Sequence, residues 1–558
     1  MATTQFATLT KEQIQKMLAL GDYAPGKTKA LLAGIDEDLA AAIAKMASSP
    51  TYAKVEALKD GSTFTAKKEK PAAGLYLALV TPGQAREVYN PVFVAADYDD
   101  ANGTNAFTVK KLVDSYQPES MAKKEEIGLE KSAETEDHKP EGVAAGDVIT
   151  FTVKSVIPEY SSDYESAVFT LSDVLSKGLA LDLSSIKVYK DSAEQGNLLA
   201  KGDAYDEGIA YRLTCDTAGD EDCFTVAFWS KYILELSEPT NIVVEYKAKV
   251  TTDAPSSVNL EVNTVTLHYS TTPSDETGKG TLKDQTKHYT FDIDAGLLGE
   301  DSWKTTEVVK VGLDSSGKEI TASTIHEGQS VGALEGAAFK LYIPTQYGST
   351  ITLHDMDGEE VRAKQYTNEI LTADKVIVSD ASGRLTIQGE REAGIRGLDL
   401  GTYYLVEESA PAGYIRSQNA VKIEILAPDD ADHWEVKNYS ETREGYTYQW
   451  SVKELKSYEV RINGNKTADY AFTNMANSST NLALSSDKAT KGDRITGSEG
   501  YGQMGWPNEK TGAAYGKIIN TQGAELPSTG GEGTKIFYGI GVLMMLLGSI
   551  FLASHKRA

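Results

Sequence analysis

The sequence predicts a mainly β protein in which tandem β-sandwiches follow a small α/β N-terminal unit and precede a C-terminal transmembrane helix. The sandwiches are predicted because short segments that alternate apolar and polar residues recur through the middle of the chain, for example at 148–153 and 262–269. A strand with one face in the core and one face in water alternates in this way. The membrane helix is predicted from an apolar run at 536–553, which is long enough to cross a bilayer core.

The composition limits the class of protein. The chain has 558 residues, enough for three or four domains with real cores. Acidic residues outnumber basic residues by 81 to 55, which gives a formal net charge of −26. A nucleic-acid-binding protein needs basic patches, so we expect no nucleic-acid partner. The negative charge suits a soluble protein that is kept apart from its neighbours.

Changes in composition divide the chain into four parts. The first part is predicted to contain two helices, and a charged stretch follows it. Two β-rich parts come next, and the second of them includes a segment rich in Gly, Ser and Asn. The predicted parts are an N-terminal domain at 1–124, a second domain at 125–300, a third domain at 301–524 and a C-terminal signal at 525–558.

The C-terminal signal is the most informative part of the sequence. It begins with the pentapeptide Leu526-Pro527-Ser528-Thr529-Gly530 and continues with a polar spacer, the apolar run at 536–553 and a basic tail. The basic tail agrees with the positive-inside rule. The pentapeptide alone, or the apolar run alone, would be weak support, and a simple membrane anchor is the alternative. All three features in this order predict a sorting signal that a sortase cuts between Thr529 and Gly530, passing Thr529 to an amine.

The N-terminus does not have the pattern of a secretory leader, because no basic segment and no apolar run follow Met1. Helical patterns cover 9–20 and 36–47, and Thr10 and Gln13 have the spacing of a capping box. Since an exported protein needs a leader, we expect that it lies upstream or has been removed.

Motifs upstream of the signal resemble those of the sortase-assembled pilins of Gram-positive bacteria, which are isopeptide-forming fimbrial subunits. The stretch at 403–414 (YYLVEESAPAGY) is similar to the E-box of that family, and 88–94 (VYNPVFV) resembles the close of its N-terminal domain. The resemblance runs from about Gly74 to the end. It implies an Ig-like, CnaA-type fimbrial D2 domain at 125–300 and a CnaB-type, prealbumin-like domain at 301–524.

The resemblance also implies intramolecular isopeptide bonds between lysine and asparagine. A lysine amine attacks only when it is neutral, and burial favours the neutral form by lowering the pKa. A carboxylic acid that the same surroundings keep protonated can hydrogen-bond the asparagine amide and move protons. Ammonia leaves, and two strands are permanently tied. No external enzyme is needed, because the fold holds the reacting groups together.

In the third domain, the positions that match the family are Lys310 and Glu407 of the E-box. By alternation, Glu407 shares a strand face with Leu405, a core candidate. The alternative is a surface glutamate that precedes a proline turn. Two asparagines could accept the lysine: Asn520 in the last predicted strand, which we prefer, and Asn474 at the end of YAFTN.

In the second domain, the matching positions are Lys131, Asp173 and Asn263. Lys131 opens the first predicted strand and Asn263 lies on a late one, so a bond between them would tie the ends of the domain together. Taken singly, each residue could be an ordinary polar residue at a strand edge. Asp173 would take the part that Glu407 has in the third domain.

Two further pairs of residues are candidates for covalent chemistry. Lys123 and Lys124 lie at the junction where the family carries the lysine that joins subunits, although a solvated charge run is an equally good interpretation. Cys215 and Cys223 flank an acidic loop and could form a local disulfide. We predict no metal site, because too few soft ligands accompany the cysteines.

The predicted function is structural. The sequence has no H-E-x-x-H motif and no paired Cys and His, so we expect neither an enzyme nor a cofactor. The resemblance implies a backbone pilin at the cell wall, with sortase, peptidoglycan and other pilin subunits as partners. The alternative is a monomeric wall-anchored adhesin that binds a host surface ligand.

Overall fold

The structure is a computed structural model. The helical patterns at 9–20 and 36–47, Lys123, Asn474, the pentapeptide and the apolar run lie outside the residues that it describes. Within the described part of the chain, no helix is long and apolar enough to cross a membrane. The described residues are 74–78, 80, 86–90, 92–96, 124–136, 139, 141–161, 164–218, 221–251, 258–273, 275–293, 308–320, 323–326, 329–390, 394–443, 445–471 and 516–523.

The prediction of a mainly β protein is confirmed. Four short strands precede or open the second domain and pair as β1 with β3 and β2 with β4. The strands of the second domain alternate buried and exposed residues, as predicted for sandwich strands. The first fourteen strands are β1 Gly74–Ala78, β2 Glu87–Tyr89, β3 Val92–Ala96, β4 Lys124–Glu126, β5 Leu129–Glu134, β6 Val148–Ile157, β7 Phe169–Leu175, β8 Leu179–Lys190, β9 Ala200–Lys201, β10 Ile209–Ala218, β11 Glu221–Phe228, β12 Thr240–Val250, β13 Val258–Tyr269 and β14 Gly280–Ile293, with a 3₁₀ turn Gln195–Asn197 and a short helix α1 Ser230–Leu234.

The second domain is a sandwich of two sheets. One sheet has the order β5-β6-β12-β8, and the other runs β14-β13-β7-β11-β10-β9. Aromatic side chains fill the space between the sheets. Phe151 stacks on Tyr246 at a centroid distance of 5.2 Å, and Phe224 meets the same tyrosine edge-on at 4.8 Å. The aromatic centre of this core therefore surrounds one tyrosine, which is 1% exposed.

The third domain has a large sheet and a separate pair of parallel strands. The sheet has β19-β20-β18-β24-β25-β28-β29 along its main path, with β21 and β22 attached at β18. The parallel pair is β15 with β30, the first and last strands of the domain. The strands are β15 Val308–Leu313, β16 Ser323–His326, β17 Gln329–Val331, β18 Ala338–Pro344, β19 Ile351–His354, β20 Glu360–Gln365, β21 Ile377–Ser379, β22 Leu385–Ile387, β23 Ile395–Leu398, β24 Gly401–Ser409, β25 Val421–Leu426, β26 Trp434–Arg443, β27 Tyr446–Leu455, β28 Ser457–Ile462, β29 Asn465–Ala471 and β30 Gly516–Thr521.

One strand belongs to both domains. β14 pairs with β13 of the second domain along most of its length. At its end, Phe291 pairs with Leu398 and Ile293 pairs with Ile395, both on β23 of the third domain. Phe291 and Ile293 are fully buried in the core of the third domain. The sheet therefore continues from one sandwich into the next.

A long hairpin, β26 with β27, makes a second connection between the domains, and we call residues 434–455 the strap. Trp434 and Leu455 lie in the core of the third domain, whereas Tyr448 and Trp450 are buried in the core of the second. The Trp450 indole N–H donates a hydrogen bond of 3.1 Å to the side-chain oxygen of Gln285 on β14. Residues of the strap therefore pack in both cores.

Candidate functional site

The pairing of β15 with β30 brings Lys310 and Asn520 together in the third domain. The two strands are parallel, with Lys310 opposite Ile518 and Gly312 opposite Asn520. Lys310 is 0% exposed and Asn520 is 1% exposed. Because both side chains point into the domain interior from neighbouring strands, the lysine amine and the asparagine amide share one buried space.

Glu407 lies between these two residues. It is on β24, where its pairing partner is Phe339 of β18. The Glu407 Oε1 lies 3.2 Å from the Lys310 Nζ, and the Glu407 Oε2 accepts a hydrogen bond of 2.8 Å from the Asn520 Nδ2. A single buried carboxyl group therefore contacts both the amine and the amide.

The segment that follows the A-P-A-G-Y motif holds the acid and the amide in position. The Ser417 backbone N–H donates to the Glu407 Oε2 at 2.6 Å, and the Ile415 carbonyl accepts from the Asn520 Nδ2 at 2.7 Å. The Ile415 N–H in turn donates to the Thr521 carbonyl. Ile415 and Ser417 could not be found from the sequence, because they contribute backbone atoms, which every residue has. Their fixed spacing from the motif was the only available signal.

A similar cluster occupies the core of the second domain. Lys131 is on β5 of one sheet, and Asp173 and Asn263 are on the neighbouring strands β7 and β13 of the other. All three are at most 6% exposed. The Lys131 Nζ lies 2.5 Å from the Asp173 Oδ2. The two sheets therefore meet at a buried ion pair beside an asparagine.

Tyr246 of β12 completes this cluster and was not predicted from the sequence. Its hydroxyl oxygen accepts a hydrogen bond of 2.5 Å from the Lys131 Nζ and one of 2.7 Å from the Asn263 Nδ2. The asparagine is thus contacted by the tyrosine, and the lysine by both the tyrosine and the acid. A tyrosine in an alternating strand reads as an ordinary core residue, so the sequence carried no signal for this contact.

Burial shifts the pKa values of Lys310, Lys131 and Asp173 in the direction that favours their neutral forms. The loss of solvation lowers the pKa of Lys310 to about 8, although Glu407 acts against this shift. Burial also lowers the pKa of Lys131 and raises that of Asp173, although each partner opposes the change in the other. A neutral amine is a nucleophile and a protonated acid is a hydrogen-bond donor, so these shifts favour the reactive forms.

Both clusters leave buried polar atoms unsatisfied. Among the described residues, no hydrogen-bond partner is found for the Asn520 Oδ1 in the third domain, and the Lys310 Nζ and the Glu407 Oε1 have none apart from their own ion pair of 3.2 Å. The same is true of the Asp173 Oδ1 and the Asn263 Oδ1 in the second. A buried polar atom without a partner costs free energy, so such a concentration calls for a functional explanation.

The remaining candidates lie away from the two clusters. Lys124 is on β4, about a quarter of its side chain is exposed, and its Nζ lies 3.2 Å from both the Glu87 Oε1 and the Glu126 Oε1. This lysine is therefore held in a strand by ion pairs, whereas a lysine that enters a sortase active site has to be exposed and flexible.

The local disulfide suggested by the sequence is not formed. Cys215 is an exposed free thiol. In the β10–β11 hairpin, Cys215 is opposite Phe224 and Asp216 is opposite Cys223, so the two cysteines lie on opposite faces. In the part of the chain that the structure describes, no group of three or more His, Cys, Asp and Glu side chains is placed to bind a metal.

Two family models match the chain. A prealbumin-like fold domain matches residues 322–440, and the LPXTG cell wall anchor motif matches residues 518–558. The chain is a cell-wall-anchored surface protein. The prealbumin-like match in this anchored protein covers most strands of the third domain and includes Glu407. It agrees with the CnaB-type fold expected there. Both matches support the resemblance to sortase-assembled pilins.

Three solved structures with similarity to this surface protein are pilins. The T6 backbone pilin of serotype M6 Streptococcus pyogenes is 16% identical over 77% of this chain and 84% of that one, with a TM-score of 0.46. The major pilin SpaA of Corynebacterium diphtheriae is 15% identical over 69% and 82%, with a TM-score of 0.36. The pilus backbone protein RrgB of Streptococcus pneumoniae is 14% identical over 58% and 100%, with a TM-score of 0.31. The comparison with curated proteins finds no match.

Proposed function

We propose that the chain is a structural backbone subunit of a sortase-assembled pilus, stabilised by two intramolecular isopeptide bonds, Lys131–Asn263 and Lys310–Asn520. The observation that carries the proposal is the presence of a buried lysine, acid and asparagine in each of two successive domains. A buried lysine beside a carboxylate is costly to maintain, and it is rarely retained for stability alone. Its presence twice, each time beside an asparagine amide, fits a cross-linking reaction.

The proposed reaction balances without an external reagent. In the third domain, the neutral Lys310 Nζ attacks the Asn520 side-chain carbonyl carbon, and a bond forms between them. Glu407 contacts both groups, so it can take a proton from the attacking nitrogen and deliver one to the amide nitrogen, which leaves as ammonia. Positioning by the fold supplies much of the reduction of the barrier.

The positions of the two bonds suit a protein under tension. The chain enters the third domain through β15 and leaves it through β30, which are neighbours. A bond between Lys310 and Asn520 would pass a pulling force from entry to exit without loading the strands between them. A bond from β5 to β13 would do the same for most of the second domain. Subunits joined head to tail need this property.

We expect the intact mass of the purified chain to fall short of its sequence mass by two ammonia molecules. Each of the variants Lys131→Arg and Lys310→Arg should form one bond fewer and so lose one ammonia molecule instead of two, because a guanidinium cannot attack as a neutral amine. Intact mass spectrometry measures the loss, and peptide mapping locates the two linked pairs. A mass equal to that of the unmodified sequence would contradict the proposed cross-links.

We expect cell-wall extracts to contain a ladder of polymers, because Thr529 of one subunit would be joined to a lysine of the next. An immunoblot shows the ladder, and mass spectrometry of digested high-mass material identifies the branched peptide that ends at Thr529. The proposed branch points are Lys123 and Lys124, and the ion pairs of Lys124 would have to open first. The variants Lys123→Arg and Lys124→Arg test each site separately.

A single immunoblot band, with Thr529 linked only to peptidoglycan, would contradict the pilus proposal. That result would favour the monomeric adhesin. Leu526→Ala serves as the control, because it should remove both the ladder and any wall-linked monomer by disrupting the pentapeptide.

A further inference from the structure

The hydroxyl of Tyr246 lies between the two nitrogen atoms that exchange protons in the proposed second-domain reaction. It accepts hydrogen bonds from the Lys131 Nζ at 2.5 Å and from the Asn263 Nδ2 at 2.7 Å. The first of these atoms would attack, and the second would leave as ammonia. Burial, and after it the charge of the nearby Asp173, raise the pKa of Tyr246 well above its ordinary value. Tyr246 therefore contacts both reacting residues and lies near the acid.

The third domain shows why the second needs such a group. There, Glu407 reaches the lysine with one oxygen and the asparagine with the other. The acid of the second domain is Asp173, which is one carbon shorter. Asp173 contacts Lys131, and the Tyr246 hydroxyl makes the contact with Asn263 that the acid makes with the asparagine of the third domain. The tyrosine hydroxyl therefore makes the contact with the asparagine amide that the shorter acid does not make.

We propose that Tyr246 is a catalytic residue of the second domain and relays a proton from the Lys131 Nζ to the Asn263 Nδ2. This proposal rests on the isopeptide function proposed above. As the Lys131 nitrogen bonds to the Asn263 carbonyl carbon, the π electrons of the C=O bond move to the oxygen, to return when ammonia leaves, and the amide nitrogen becomes a pyramidal amine with a free lone pair. Tyr246 gives its hydroxyl proton to that nitrogen and takes one from the Lys131 nitrogen. The carbon–nitrogen bond of the amide then breaks, ammonia leaves, and Tyr246 is unchanged.

The surroundings of Tyr246 suit a relay. A hydroxyl both donates and accepts hydrogen bonds, so it can pass a proton without a net change of charge. The ring is fixed by stacking on Phe151 at 5.2 Å and by an edge contact with Phe224 at 4.8 Å. The Lys131 Nζ lies 5.2 Å from the centre of the Tyr246 ring and 5.4 Å from that of Phe151. The aromatic rings thus hold the amine and exclude water, which could otherwise carry the proton.

The test is the rate of cross-linking in Tyr246→Phe, a variant that keeps the ring and removes only the hydroxyl. The full chain is made in a short cell-free synthesis pulse, samples are quenched in acid over time, and mass spectrometry of a digest measures each linked pair. We expect the Lys131–Asn263 bond to form about 100-fold more slowly, the lower end of what a general acid–base group contributes. The Lys310–Asn520 bond should form at its normal rate in the same molecules.

Tyr160→Phe is the matched control. Tyr160 is another buried tyrosine of the same core, and its hydroxyl donates to the Ser270 carbonyl, away from the cluster. Its removal should leave both rates unchanged. If Tyr246→Phe also cross-links the second domain at the wild-type rate, the relay is wrong while the bond itself stands. If the wild-type chain never links Lys131 to Asn263, the failure belongs to the proposed function.

A second variant covers the case in which Tyr246→Phe does not fold. Placing 3-fluorotyrosine at position 246 keeps the shape and the hydroxyl but makes the phenol a stronger acid. The rate of the second-domain bond should then change measurably, because the relay must release and regain a proton. An unchanged rate would show that the hydroxyl serves only as a spacer, and would overturn the proposal.

Discussion

Glu407→Ala is expected to abolish the Lys310–Asn520 bond while the third domain still folds. Glu407 is the only described side chain that contacts both reacting groups, with Oε1 3.2 Å from the Lys310 Nζ and Oε2 at 2.8 Å from the Asn520 Nδ2. Without it, the proton of the attacking amine has no acceptor, and the rate should fall by about 100-fold or more. Intact mass spectrometry should find the loss of one ammonia rather than two.

The same variant should be much less stable. A bond between Lys310 and Asn520 closes a loop of about 200 residues, and a cross-link of that span is worth about 5 kcal/mol in the chain-entropy model. For a domain of this size, such a change corresponds to a melting temperature lower by roughly 10–20 °C. Thermal unfolding followed by circular dichroism measures the shift, and limited proteolysis should show earlier cleavage of the third domain.

Two further variants make this result specific. Glu407→Gln keeps the size of the side chain and removes its acidity, so it should also fail to form the bond. Glu408→Gln removes the neighbouring carboxylate, which is exposed, and should form the bond normally. Full ammonia loss in Glu407→Gln would exclude Glu407 as the proton carrier.

The sequence predicted those members of the clusters whose side chains have distinctive chemistry. A lysine flanked by valines and a glutamate before A-P-A-G-Y stand out from ordinary strand residues, so Lys310 and Glu407 could be found. Asn520 was preferred to Asn474 from its place in the last strand, and the structure brings Asn520 to Glu407. Its part in a bond stays a prediction.

Long-range contacts made by ordinary core residues could not be predicted from the sequence. Tyr246 lies in an alternating strand, where a tyrosine usually means only a filled core. Its contact with Lys131 depends on the pairing of β12 with β6, and of β6 with β5. Alternation predicts which face of a strand is buried, but not which strands become neighbours. The same limit applies to β14, where only the end of a long strand enters the next domain.

The strap shows this limit most clearly, because its pattern is that of a simple hairpin. In β27, Tyr448, Trp450 and Val452 are buried and the residues between them are exposed. An amphipathic hairpin of this kind is expected to cover the core of its own domain. These three residues instead join the core of the second domain. No local feature of the sequence indicates which of two adjacent cores receives them.

The strap is expected to make the second and third domains unfold together, and Trp450→Ala should uncouple them. This tryptophan is 7% exposed, and its indole N–H donates to Gln285 on the shared strand β14. Truncating a buried tryptophan costs about 3–5 kcal/mol, because a cavity replaces the ring. The second domain should therefore lose about that much unfolding free energy, and calorimetry should resolve two transitions where the wild-type protein shows one.

Val436→Ala is the matched control, because it shortens an apolar side chain of the same strap that is 68% exposed. A change at such a surface position is usually worth less than about 0.5 kcal/mol, so this variant should unfold like the wild type. Coupling through the strap matters in a fibre, since two sandwiches joined only by a linker would bend at the junction. If Trp450→Ala still unfolds in one transition at the wild-type temperature, the shared strand β14 alone would be enough to hold the domains together.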